Sequence, residues 1–324
     1  MKHGNLSIAG GTKIKGMVRL LLVLAAASLV FPQDRVLTPA AEFDLHAGLK
    51  LSRHARVRLT LSATPTGLTL VTIGENFAAL TSADPNGRIL HARSDLASVH
   101  AQIYGALPRP DGNVWLLSAG PNQAFGAYTE LGNALPSRPV TGKFHSGPEN
   151  YTDMDLYTPA GEHLEHLRLL RPVVPLAAGN DEIVLRVYPG QILYFGIAAN
   201  GQFQKKTEVR LDPPVRFAFA TMASNGEILL MDRQSGDMLI VDPKTHRGSV
   251  VHLPKPYPVT AVSTDADAVY LLTGDTVLKA DLQGRILAEH RLQFGHGFQP
   301  VAIAVTGPSI YLVNQSGVTE RFEL

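Results

Sequence analysis

Residues 259–292, VTAVSTDADAVYLLTGDTVLKADLQGRILAEHRL, read as four short strands joined by tight turns. Residues 259–263 are apolar and small, residues 265–267 form a turn, and residues 268–273 are an apolar run of one strand's length. Asp275 turns the chain into residues 277–281, and Gln283-Gly284 turns it again into residues 285–292. In that last stretch Ile286, Ala288 and His290 alternate with Arg285, Leu287 and Glu289. Charge on one side suits an outermost strand with one face in water.

The apolar second strand of this unit recurs. Residues 68–73 (LTLVTI), 114–117 (VWLL), 183–187 (IVLRV), 228–231 (ILLM), 269–272 (VYLL) and 310–313 (IYLV) begin 46, 69, 45, 41 and 41 residues apart. Strand patterns repeating at about 40 residues, with no helical pattern between them, predict a radial array of four-stranded blades. The turn between third and fourth strands recurs as well, at residues 83–87, 158–161, 198–201, 242–248 and 281–284. Each pairs a Pro, Asn or Asp with a Gly able to take positive φ. Six second strands against five such turns leave the unit at residues 318–324 with only a third strand. Its outer strand must then come from residues 41–45 (AEFDL) or a stretch near them, ahead of residues 56–61 as the first strand of the first blade. The predicted fold is all-β, a six-bladed β-propeller of four-stranded antiparallel blades, closed by an N-terminal strand. A two-sheet sandwich is the alternative, and it would not need equal spacing.

This period and closure resemble six-bladed propellers of the TolB-like and NHL-like type. The resemblance covers residues 36–324 and is architectural. Neither the Trp-Asp ending of WD40 blades nor the paired glycines of kelch blades appears.

Lys13, Lys15 and Arg19 precede a 12-residue apolar run at 20–31 (LLLVLAAASLVF), with Ala25, Ala26 and Ala27 near its end. A basic flank, a short apolar run and small residues predict a secretory signal peptide in residues 1–31, with Met17 as a second candidate start. The run is short of the ~20 residues that a spanning helix needs. An uncleaved anchor remains the alternative. The chain carries 29 basic and 28 acidic residues; without Lys2, Lys13, Lys15 and Arg19 the basic count falls to 25. The apparent basicity therefore belongs to the leader, and nucleic-acid binding is disfavoured. No cysteine is present. Disulfides, thiolate metal sites and a cysteine nucleophile are thereby excluded. The expected setting is the periplasm or medium of a bacterium.

The predicted inner strands at 99–104, 173–178, 215–221, 259–263 and 301–305 contain no Asp, Glu or Asn. Gluconolactonase-like propellers hold a divalent cation on such side chains at the channel mouth, as hard cations require. No metal or other cofactor is expected here. There is no Gly-x-Ser-x-Gly elbow and no phosphate-binding Gly-x-x-x-x-Gly-Lys-Ser/Thr. His163-Leu-Glu-His166 resembles a metal motif, but on a regular strand residues three apart point to opposite faces. A solvated outer strand is the expectation there. Asp153-x-Asp155 and Asp265-x-Asp267 lack the Gly and distant Glu of a calcium loop.

Two features point to binding. The segment 118–151 replaces a two- to four-residue second-to-third-strand loop with about 34 residues, a length usually functional or disordered. It carries Phe125, Tyr128, Arg138, Lys143 and His145. The blade-to-blade connections expected on the same face carry Arg93, His100, Arg171, Arg210, Arg216, Lys255, Tyr257 and His296. Basic groups converging from several blades focus field on an anionic ligand; the plainer reading is that they are solvated or cap turns. The candidate ligand-binding set is Phe125, Tyr128, Arg138, Lys143, His145, Arg171, Arg216, Tyr257 and His296. The function expected is a monomeric, exported binding or scaffold propeller for a protein, peptide or glycan. The competing class is a lyase or hydrolase using His145, His296 and Arg171 as acid–base residues.

Overall fold

The computed structural model describes residues 36–49, 57–74, 77–96, 102–119, 151–169, 173–187, 191–197, 203–210, 217–265 and 268–324. Two short strands come first, β1 (Val36–Leu37) and β2 (Ala41–Asp44). Blade 1 is β3 (Arg58–Thr64), β4 (Gly67–Ile73), β5 (Ala78–Ala83) and β6 (Ile89–Arg93). Blade 2 is β7 (Gln102–Pro108), β8 (Val114–Ala119), β9 (Thr152–Tyr157) and β10 (His163–Leu169). Blade 3 is β11 (Val174–Ala178), β12 (Glu182–Val187), β13 (Gln191–Ile197) and β14 (Phe203–Arg210). Blade 4 is β15 (Phe219–Met222), β16 (Ile228–Met231), β17 (Met238–Asp242) and β18 (Arg247–Val251). Blade 5 is β19 (Ala261–Asp265), β20 (Ala268–Thr273), β21 (Thr276–Asp281) and β22 (Ile286–Leu292). Blade 6 has three strands in sequence, β23 (Pro300–Thr306), β24 (Ser309–Asn314) and β25 (Val318–Glu323).

Its fourth strand is β2. Ala41 pairs with Arg321 and Asp44 with Val318 in an antiparallel ladder, so the N-terminal strand closes the ring as expected. One strand went unread in the sequence: β1 lies parallel on the outer edge of blade 5, with Val36 opposite Arg291. The first strands β3, β7, β11, β15, β19 and β23 neighbour one another in a closed inner ring. Apolar side chains gather in six clusters, one between each pair of adjacent blades. The second strands are apolar on both faces because each contributes to two of these cores. Trp115, fully buried, sits between blades 2 and 3.

The turns between third and fourth strands show why their residues recur. Asp281 Oδ1 accepts the amides of Gln283 and Arg285, both at 2.9 Å, and Gly284 takes φ 80°. Asp84 does the same for Asn86 and Arg88, with Gly87 at φ 85°. The glycines also leave room for a neighbour. An added Cβ would lie 2.1 Å from Phe43 at Gly87, 2.4 Å from Arg93 at Gly161 and 2.7 Å from Val251 at Gly284. In each case the intruder belongs to the fourth strand of the preceding blade. The turn at 242–248 departs from expectation: Gly248 lies in β18, and His246 takes the positive φ, 58°, bonded to Thr207 of blade 3.

Other strand bounds move too. β7 runs on to Pro108, past the predicted end at Tyr104, with Gly105 inside the strand. A register shift between Ile103 and Gly105 absorbs the glycine, against which Pro175 packs. β15 starts later than residue 215, and β19 runs on to Asp265.

Candidate functional site

The C-terminal ends of the six inner strands, with the turns that follow them, surround a cavity of about 900 Å³. It opens on the face bearing the first-to-second-strand turns, opposite the face singled out from the sequence. Each blade contributes: Thr64 from blade 1, Arg109 from blade 2, Asn180 from blade 3, Asn225 from blade 4, Asp265 from blade 5 and Thr306 from blade 6. Asp265 overturns the expectation that the inner strands carry no carboxylate. It was assigned to a turn, but the ladder extends to its pairing with Ala268. Among the described residues lining the cavity there is no aromatic and no histidine.

Hydrogen bonds between blades fix this wall. The Thr264 hydroxyl donates to Met222 O at 3.0 Å, so it accepts from Thr221, 3.0 Å away. Ser263 Oγ accepts the Val305 amide and Asp265 Oδ2 the Gly307 amide, each at 3.1 Å. The described rim cations are matched locally, while, among the described residues, Asp181 and Asp265 add carboxylates with no cation beside them in a salt bridge. Arg109 Nη2 donates to Asn180 O at 2.7 Å and stands 2.9 Å from Asp111, while Lys206 lies 3.8 Å from Glu182. The mouth therefore offers hydroxyls, amides and strand edges, held in place by bonds between blades.

On the opposite face, Tyr257 and His296 are the two described members of the sequence-derived set. Tyr257 is buried in the core between blades 4 and 5, and its hydroxyl donates to Glu289 at 3.2 Å. Burial, with the Glu289 carboxylate beside it, pushes its phenol up. His296 is exposed. Phe125, Tyr128, Arg138, Lys143, His145, Arg171 and Arg216 lie outside the described residues, as does His100. The other cations of the connections are spent nearby: Arg93 on Asp95 and Gly161 O, Arg210 on Glu208, Lys255 over the Tyr257 ring.

Sequence reasoning missed a different set on this face. Arg186 stacks 4.7 Å over the Phe217 ring, Arg233 stands 5.4 Å from the Phe219 ring, and burial pushes the Arg58 guanidinium down. Arg186 had a signal: it is a charge inside the otherwise apolar IVLRV.

His163 and His166 also differ from expectation. A register shift in β10 between His163 and Glu165 inserts a residue, so the two imidazoles share a face after all. His163 Nε2 and His166 Nδ1 lie 3.0 and 2.9 Å from the same Asp155 oxygen, beside an Arg168–Asp153 pair at 2.7 Å. Among the described residues no three His, Asp or Glu groups are arranged to hold a metal ion.

No family model and no curated protein matches the sequence. Solved structures do. The Neurospora crassa Pan2 WD40 domain superposes with a TM-score of 0.55 at 10% identity, over 90% of this chain and 96% of that one. A chain of the mitotic checkpoint complex gives 0.51 at 9% identity, over 100% and 98%. Virginiamycin B lyase from Staphylococcus aureus gives 0.49 at 13%, over 87% and 98%. At these identities the likeness to the first two shows the fold. The chain is a six-bladed β-propeller.

Proposed function

We propose that this chain is an exported, non-enzymatic binding propeller, of the TolB-like or NHL-like kind, that takes a protein or peptide. The channel mouth carries this reading. Six blades bring hydroxyls, amides and strand edges to one cavity whose described cations are already matched. Such a lining suits the amide groups of an extended segment. Its described residues include no aromatic platform on which a sugar would stack, which favours peptide over glycan. The segment 118–151 is proposed as a second contact surface, through Phe125, Tyr128, Arg138, Lys143 and His145, together with Arg171, Arg216 and His296. Those residue types dominate binding hot spots. Residues 1–31 act as a signal removed near Ala27, leaving a monomer in the periplasm or medium.

Capture from envelope extract tests both surfaces. Asn225→Trp with Thr306→Trp fills the mouth, and deletion of 118–151 removes the loop. Loss of a partner with either change supports the corresponding surface. A partner retained by both variants overturns the reading, as does chelator-sensitive turnover of a lactone or phosphoester. Exported material still beginning at Met1 or Met17 overturns the processing.

A further inference from the structure

Glu320 is a carboxylate in an apolar place. On β25 it shares a face with Val318 and Phe322, which pack into the core between blades 5 and 6, and it is 0% exposed. Its Oε1 accepts the Gly295 amide at 2.8 Å, while its buried Oε2 has no hydrogen-bond partner. Directly across the ladder, on the closing strand, stands Glu42. A Cβ on Gly295 would lie 2.8 Å from Glu320 Oε1 and 3.6 Å from Glu42 Oε2, so both carboxylates converge on one glycine. Phe294, against Phe298 and Phe322, roofs the spot.

Among the described residues no cation bonds to Glu320. On β25, Arg321 turns to the other side, donating to Pro85 O and Asn86 and pairing with Glu323. β24 presents Leu312 opposite Glu320 and carries no charged residue. On blade 5, Lys279 places its ammonium 5.5 Å from the centre of the Tyr270 ring, and His290 lies on β22. His296 is exposed, and Asp44 on β2 adds only negative charge.

We propose that the ring closes with a proton: Glu320 keeps its carboxyl proton while β2 is seated, and losing it weakens the closing strand. An ionised Glu320 would leave a bare oxygen in an apolar core beside a second carboxylate. The acid form instead has a hydrogen to give toward Glu42. Burial first, with Glu42 adding to it, raises this carboxyl above the ordinary glutamate value, against the Gly295 amide bond, which lowers it. The seated state therefore binds the proton more tightly than the open one. The contribution of Glu320 to closure is full at acid pH and is lost as pH rises through the folded-state value.

Hydrogen exchange at the β2 amides of the whole chain tests this at pH 5 and pH 8. The wild type is compared with Glu320→Gln, a neutral isostere, and with Glu42→Gln. Taking protection as a ratio to Glu320→Gln cancels intrinsic exchange and the titration of nearby His46. That ratio is expected to fall between pH 5 and pH 8, as the folded-state carboxyl gives up its proton. A ratio constant with pH overturns the proposal. Should Glu320→Gln not fold, the exposed Glu42→Gln decides: at pH 8 it must protect β2 better than the wild type, and equal protection overturns the proposal.

Discussion

Replacing Gly87 by alanine separates two costs that this fold places on one residue. Gly87 has φ 85°, and a Cβ there would lie 2.1, 2.3 and 2.5 Å from three carbons at the root of the Phe43 ring. A left-handed L-residue costs about 1–2 kcal/mol. Overpacking adds about 1–3 kcal/mol, because ring carbons next to the backbone move only if β2 moves. Gly87→Ala should therefore cost about 2–5 kcal/mol. Gly307→Ala is the control: φ is 55° and nothing lies within 4 Å, so the backbone cost stands alone at about 1–2 kcal/mol. Urea titration followed by fluorescence of Trp115, the single tryptophan and fully buried, measures both. In a Phe43→Ala background the cost of Gly87→Ala should drop to that of the control. Equal costs for the two glycines, or no change in that background, would refute the account.

At the channel wall, Thr264→Val leaves Met222 O and the Thr221 hydroxyl unpaired, and should cost about 1–3 kcal/mol by the same titration. A loss under about 0.5 kcal/mol, within the scatter for featureless surface sites, would mean the wall does not need that bond. Burial holds the His46 pKa below its ordinary 6.5, so its contribution is complete above that pH and is lost as pH falls below it. His46→Gln should flatten the fall in stability between pH 7 and pH 5, and an unchanged slope would show that His46 is not its source. Hydrogen bonds from Lys205, Arg210 and Gln191 pull Glu208 down to about 2, so its contribution is lost as pH falls from 4.5 toward that value. The network lies at the surface, and Glu208→Gln should cost no more than about 1 kcal/mol; a carboxyl NMR titration near 4.5 would contradict the assignment.

What the sequence disclosed follows from how many neighbours each strand has. Second strands such as Val269–Leu272 are packed on both sides, so they are continuous apolar runs that composition alone reveals. Asp281 and Gly284 were legible because local hydrogen bonds and φ demand them. The close approach of Phe43 to Gly87 was not, since it joins residues 44 positions apart through the closed ring. Inner strands were misplaced where Gly105 carries a register shift, and the shift in β10 has no glycine or proline to mark it. The mouth was invisible for a related reason. Thr64 ends a strand and Arg109, Asn180 and Asn225 are ordinary turn residues, and only closure of the ring makes them neighbours.

Ring closure also explains why small changes at one seam should reach the whole molecule. Five interfaces join blades consecutive in the chain, but the sixth, between blades 6 and 1, is completed by β2 pairing with β25, about 280 residues away. Closing a loop of that length costs about 3 kcal/mol more than closing one of ten residues. The seam offsets this with the β2 ladder, the core around Leu45, Tyr311 and Val313, and polar ties from Tyr311 and Arg321 to Pro85 O. His46, bonded to Thr72 at 2.9 Å, adds another. Phe43 over Gly87 and Glu42 opposite Glu320 lie on this same four-residue strand. A kcal/mol gained or lost on β2 is thus set against the whole cost of closure, while the same change inside blade 3 is shared with two neighbours already joined through the chain. The closing strand is where a single proton has the most leverage over the ring.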